Sequence, residues 1–242
     1  MSKSKTVKPT TQKAEPVGSN RNSRKRSLTR VKLLKAAYDI FSKRGLDATT
    51  VQEITDRADV GLGTFYNYFA SKEEIATRVI DCVIHDVARR NDIATAPFME
   101  TNPVYVQPTA IRLTLREAVT NPIWQWWIRH PDLLADRMRE GFRRYGVRDM
   151  GASQGHGVYQ LNQEDFDLVW VIHCWIIVGG LRDILVLQHP IEREAYIVEL
   201  IMRVMGVPSE TAREAAYIPL PPYPPADIDF SFRLDEEEGA SS

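Results

Sequence analysis

Residues 49–72 read TTVQEITDRADVGLGTFYNYFASK, and the spacing of side chains within this stretch decides the fold. Val51, Ile54 and Ala58 recur at helical spacing, so a short helix buries one face, and Asp59-Val60-Gly61 supplies the break after it. A second short helix starts at once, with Gly61 as its N-cap. Each residue turns about 100° around a helix axis, so with Phe65 pointing inward, Gly63, Tyr66 and Asn67 lie on roughly the opposite side. Gly63 has no side chain and permits close approach to a partner. Thr64, Tyr66, Tyr68 and Lys72 offer the hydroxyls and the ammonium that bind phosphate oxygens. Helix, tight turn and second helix with a polar outer side is the geometry that docks in a DNA major groove.

The same residues carry a family resemblance. The run from Ala58 to Glu73, ADVGLGTFYNYFASKE, resembles the pattern A-G-V-S-x-G-T-[FL]-Y-x-[HY]-F-x-x-K-E of the TetR family of bacterial transcriptional regulators. Two positions depart from it: Asp59 replaces the usual turn glycine, and Gly61 replaces the usual serine cap, glycine being itself an accepted N-cap. The resemblance extends over residues 28–84, about a quarter of the chain. It implies that Thr50, Thr64, Tyr66, Tyr68 and Lys72 meet the phosphate backbone, while Leu62, Gly63 and Asn67 face base edges. Phe65 and Phe69 belong to the core. It further implies an all-α fold, with a three-helix helix-turn-helix head joined by a long fourth helix to a helical body for ligand binding and dimerisation.

Charge is segregated along the chain in the same sense. Residues 1–90 carry 18 Lys/Arg against 10 Asp/Glu, and residues 91–242 carry 13 against 22, although the whole chain sums to only −1. A basic front half beside an acidic remainder suits a nucleic-acid contact region joined to a body kept off the duplex. Residues 1–26 hold almost no large apolar side chains and are expected to stay a mobile basic arm, with Arg24-Lys25-Arg26 able to follow phosphates or enter the minor groove. From about Leu28, Leu34, Ala37, Tyr38 and Phe41 mark a helix that Gly45 closes. Ser71 with Glu74 reads as a capping box for a helix running to about Ala94. The head therefore spans 27–88, with its helix-turn-helix at about 50–69.

Pro97, Pro103 and Pro108 are expected to punctuate a loop over about 95–108, inside a body spanning 89–207. Helices follow at 109–120 and through Leu134, Met138, Phe142 and Tyr145, with Asn121-Pro122 and His130-Pro131 restarting the chain. A glycine-containing loop is expected over 146–161, then an apolar helix at 163–188 capped by Asn162, and an amphipathic helix at 191–206. The run from Leu168 to Leu187 approaches membrane-spanning length, but His173, Arg182 and Asp183 interrupt it, and a charge at depth costs about 2.5–3.5 kcal/mol. A helix of a water-soluble body is the better reading. By the resemblance, these last two helices pair across a two-fold axis with a second copy. The Pro-rich, acidic segment 208–242 is expected to be extended and then disordered.

Cys82 and Cys174 stand in apolar helical contexts without CxxC spacing, which favours a reducing compartment, and the scattered histidines suggest no metal site. No apolar run follows the N-terminal basic residues, so a cytoplasmic location is expected and no membrane partner. No cofactor is implied. Phosphate loops, nucleophile elbows and paired carboxylates are absent, which argues against an enzyme. All five tryptophans lie beyond residue 120. By the resemblance the body holds a small-molecule cavity, for which Trp124, Trp127, Phe142, Trp170 and His173 are candidate lining and Arg129 a candidate anion partner. The expected function is a homodimeric, sequence-specific DNA-binding repressor released from a palindromic operator by a largely apolar or aromatic effector. A non-specific architectural DNA-binding protein is the alternative.

Overall fold

The computed structural model describes residues 17–155 and 162–232, and among these every regular element is helical. Three helices form the head: α1 Val17–Arg44, α2 Val51–Ala58 and α3 Leu62–Tyr66. Then come α4 Lys72–Thr101, α5 Val106–Thr120, α6 Ile123–Ile128, α7 Pro131–Gly141, α8 Arg143–Gly155, α9 Phe166–Leu185, α10 Glu194–Val204 and α11 Ser209–Tyr217.

The head closes because three amphipathic faces meet. Leu33, Leu34, Ala37 and Phe41 of α1, Ile54 and Ala58 of α2, and Phe65 of α3 with the following Phe69 are all buried together. The turn between α2 and α3 is built on Asp59 at φ 54°, ψ 53°. Aspartate tolerates this left-handed region better than most residues, so it replaces the expected glycine without breaking the turn. The Val60 N–H closes the turn onto the Thr55 carbonyl at 3.1 Å.

α4 belongs to both halves. It packs on α1 of the head and on α5 and α7 of the body. Ser71 caps it, accepting from the Glu74 N–H at 3.1 Å, while Glu74 reaches back to the Ala70 N–H at 2.6 Å. α5, α7 and α9 complete the body around it, with α10 and α11 on the far side.

Four boundaries differ from the sequence reading. α1 begins at Val17, inside the stretch expected to be mobile, while residues 1–16 lie outside the described residues. The 95–108 loop is absent: α4 continues through Pro97 to Thr101, a 3₁₀ turn covers Pro103–Tyr105, and Pro108 sits in the first turn of α5. Pro97 stands one turn from the end of α4, where a missing N–H forfeits a single hydrogen bond, and the Asn102 N–H still closes the end onto Phe98. α8, Arg143–Gly155, occupies residues 146–155 of the expected 146–161 glycine loop, and 156–161 lie outside the described residues. The tail begins with a helix, α11, whose Ala212, Ala215 and Ala216 are fully buried, and the acidic end from 233 lies outside the described residues.

Candidate DNA-reading face and effector cavity

The α3 turn sorts its side chains as the helical rotation requires. Phe65 and Phe69 are buried with ring centroids 5.7 Å apart, while Leu62 and Tyr66 are 43% and 55% exposed, and Gly63 and Asn67 share that outer side. A Cβ built on Gly63 meets nothing within 4 Å, so nothing inside the fold requires glycine there. Thr64 and Tyr68 are half-buried at the rim, and the Arg26 guanidinium lies 5.8 Å from the centroid of the Tyr68 ring, bringing the basic start of α1 beside this face.

Two residues expected on phosphate have internal duties. The Lys72 ammonium donates to the carbonyls of Leu46 at 2.9 Å and Thr49 at 2.8 Å, which pins the start of α4 to the α1–α2 connection. An ammonium has three donors, so one remains. Thr50 caps α2: its hydroxyl oxygen accepts from the Glu53 N–H at 3.3 Å, and the Glu53 carboxylate accepts from the Thr50 N–H at 2.8 Å. Sequence reasoning missed this capping box, although Thr50-x-x-Glu53 is its signature. Arg44, followed by the Thr50 backbone and hydroxyl, holds the Glu53 carboxyl down to about 2.

Within the body, α4, α5, α7, α8 and α9 line a partly open cavity whose empty space, open mouth included, is about 560 Å³. Its apolar wall includes Ile111, Met138, Phe142, Trp170 and Ile177, and its polar groups include Asn91, Thr114, Asp149 and His173. Phe142, Trp170 and His173 are thus brought together as expected. Trp124, Trp127 and Arg129 do not line it. Trp124 is fully buried in the core, and Trp127 faces a separate groove beside Glu74, Leu133 and Arg137. Arg129 pairs with Asp47 on the head's α1–α2 connection, and Arg182 of α9 donates to the neighbouring Ile128 carbonyl at 2.9 Å. Helical spacing groups Trp124 and Trp127 on one face, but which neighbour that face meets is a tertiary matter.

The cavity combines neutral polar groups with a paired charged cluster, Asp92, Arg148 and Asp149, in an apolar shell. His173 stacks on Trp170 with centroids 5.0 Å apart, and its Nδ1 is buried with no hydrogen-bond partner among the described residues. Burial pushes His173 down to about 4, so it is uncharged near neutrality. Burial likewise pushes Asp149 up to about 6, opposed by its 2.6 Å pair with Arg148, which also reaches Asp92 at 2.7 Å. The Asn91 amide donates to Thr114 Oγ1 at 2.9 Å and to the Ala110 carbonyl at 3.1 Å. Gly146 lets α8 lie on Trp170: a Cβ there would fall 2.2 Å from the ring.

Residues 33–79 match the sequence model of the bacterial regulatory proteins, tetR family. Over these 47 residues the chain is similar to the TetR family. The TetR-family match ends just beyond the head, and similarity outside it is looser. TcmR of Streptomyces glaucescens, an HTH-type transcriptional regulator, is 33% identical over 115 residues, 48% of this chain and 49% of TcmR. KstR2 of Mycobacterium tuberculosis, an HTH-type transcriptional repressor, is 45% identical over 51 residues, 21% of this chain and 26% of KstR2. The chain thus spans about half or less of the curated relatives it matches. Among solved structures, RolR in complex with resorcinol shares the fold with a TM-score of 0.72 at 24% identity, covering 84% of this chain and 100% of RolR.

Proposed function

We propose that this protein is a dimeric transcriptional repressor that reads a palindromic operator through α2 and α3 and leaves it when a small hydroxylated aromatic ligand enters the body cavity. The observation that carries this reading is the course of α4. The helix starts under the reading face at Lys72 and supplies Ala88, Asn91, Asp92 and Thr95 to the cavity wall. A ligand that fits one position of α4 better than another shifts the head by that difference in affinity, typically about 1–3 kcal/mol.

In this reading Tyr66, Thr64 and Tyr68 bind phosphates and Leu62, Gly63 and Asn67 face bases, with the free donor of Lys72 and the side chain of Thr50 at the margin. Two heads must stand about 34–36 Å apart to enter successive major-groove turns. The surface offered for pairing is the outer face of α9 and α10, where Leu168, Trp175, Tyr196 and Val204 are 62%, 44%, 49% and 53% exposed. α9 is long and apolar enough to cross a membrane, but one face packs into the body, and an apolar face left bare on a folded domain fits a second copy. An uncharged ligand suits this cavity, because Arg148 is already paired with Asp149 and Asp92, and His173 is neutral, its Nδ1 accepting from a ligand hydroxyl in the tautomer protonated on Nε2. Resorcinol, the ligand held by RolR, has this chemistry and serves as the first probe.

Genome-wide mapping of bound sites, followed by binding to one recovered duplex and its scrambled counterpart, tests the reading. Preferential binding to the recovered site is expected, with affinity lowered about 5- to 150-fold by a cavity ligand. Equal affinity for both duplexes would overturn it and favour an architectural DNA-binding protein, for which the cavity has no use.

A further inference from the structure

Residues 218–232 follow α11 without regular secondary structure and run back along α4 toward the head. The contacts occur in strict order. The Ile218 carbonyl accepts from Arg112 on α5 at 2.6 Å. The Tyr223 hydroxyl donates to Asn91 Oδ1 at 3.0 Å, and the Arg90 guanidinium covers the Tyr223 ring at 4.5 Å. The Asp227 N–H reaches Asp86 at 3.3 Å. Phe232 then stacks on His85 at 3.9 Å, and Phe230 packs on Tyr38 of α1 with centroids 5.5 Å apart. From Asn91 to His85 the segment descends α4 by six residues, about 9 Å.

The composition suits this course. Pro219, Pro221, Pro222, Pro224 and Pro225 remove backbone donors that a helix surface could not satisfy, and they favour an extended chain before it docks. Little conformational entropy is then lost on docking. The carbonyls exposed by that backbone are met by arginines: Arg112 at Ile218, Arg90 at Pro224 and Arg89 at Asp227.

Asn91 is the junction. Its amide lies in the cavity wall, where it holds Thr114, and its carbonyl oxygen holds the strap. We propose that residues 218–232 form a strap that couples the cavity to the head, with Tyr223 as a positioning residue gripping Asn91 at one end and Phe230 clamping Tyr38 at the other. The proposal rests on the reading of α4 as the signal-carrying helix. It adds a second, parallel connection whose two ends lie on different halves of the molecule, so a change at Asn91 reaches α1 without passing through the turns of α4 beneath the reading face.

The test is hydrogen exchange of the full-length protein, with no DNA and no effector. Tyr223→Phe removes one hydroxyl that touches only the cavity end. We expect the α1 amides around Tyr38 to exchange at least threefold faster, with α9 and α10 unchanged. The reciprocal variant Phe230→Leu is expected to speed exchange in the α4 turn around Asn91. In the double variant the two effects should be non-additive, because either change alone releases the strap. Unchanged α1 exchange in Tyr223→Phe, or additive effects in the double variant, overturns the coupling. Neither result bears on DNA binding, so failure of the strap and failure of the repressor reading are separate outcomes.

Discussion

Replacing Gly63 by alanine sets fold and function against each other. Gly63 is the second residue of α3, exposed, and the added methyl meets no atom within 4 Å. Alanine is preferred over glycine by about 1 kcal/mol in a helix interior, and because α3 is a short helix and Gly63 lies in its first turn we expect about 0.5–1 kcal/mol of added stability. For a chain of this size that raises the melting midpoint by roughly 1–4 °C. On DNA the sign reverses. If the outer side of α3 enters the major groove, the methyl occupies space that the duplex needs, and displacement of one base contact costs about 1–3 kcal/mol, roughly 5- to 150-fold in affinity. Both quantities come from one preparation, by thermal unfolding and by fluorescence anisotropy with a recovered operator duplex. A more stable protein that binds DNA as tightly as before refutes the placement of Gly63 at the duplex. A fall in melting temperature refutes the claim that the site is open.

Four further outcomes are expected. Gly180→Ala places a methyl 2.8 Å from Ile197 Cγ2 and should cost about 1–3 kcal/mol by overpacking, whereas Gly179→Ala meets nothing in its own protomer and should weaken only self-association, read by sedimentation equilibrium. The pH profile of stability carries two opposed contributions. Asp149, raised from 3.8 to about 6, contributes fully below its unfolded value and loses that contribution as pH rises through about 6, by at most about 3 kcal/mol. His173, lowered from 6.5 to about 4, contributes above about 6.5 and loses it as pH falls through about 4, so Asp149→Asn should steepen the loss of stability on acidification, and parallel denaturant midpoints for variant and wild type would count against this. Arg24→Ala with Lys25→Ala should lower the slope of log affinity against log salt by about 0.9 for each phosphate contact removed, and an unchanged slope places these residues off the duplex. Arg129→Ala removes an ion pair to Asp47 between half-exposed groups and should change stability by less than about 1 kcal/mol, measured by urea unfolding.

The legibility of the sequence followed the range of the interactions. The α2–α3 unit was readable because its signals lie within a few residues: Gly61 as N-cap, Asp59 as the turn, and Phe65 and Phe69 on the inner side. The prolines misled where packing outweighed local preference. Pro97, Pro103 and Pro108 suggest a loop, yet packing of α4 against α5 and the Pro103–Tyr105 turn carries the helix past Pro97. Gly146 likewise read as loop chemistry, while in the fold it is the gap into which Trp170 fits. The apolar run of α9 was assigned to a soluble body, but its composition did not show that one face would remain bare.

By itself the sequence determined the head, its inward and outward sides, and the helical class of the body, because hydrophobic period and caps are set by neighbours one or two turns away. Only the tertiary structure decided that Phe142, Trp170 and His173 share a cavity while Trp124 and Trp127 do not, and that Lys72 spends two donors on the carbonyls of Leu46 and Thr49. It alone decided that a proline-rich tail returns to Asn91, 132 residues back from Tyr223, and ends on Tyr38. Such contacts have no period to read: they depend on which surfaces remain uncovered once the helices have packed, and that is a property of the whole chain.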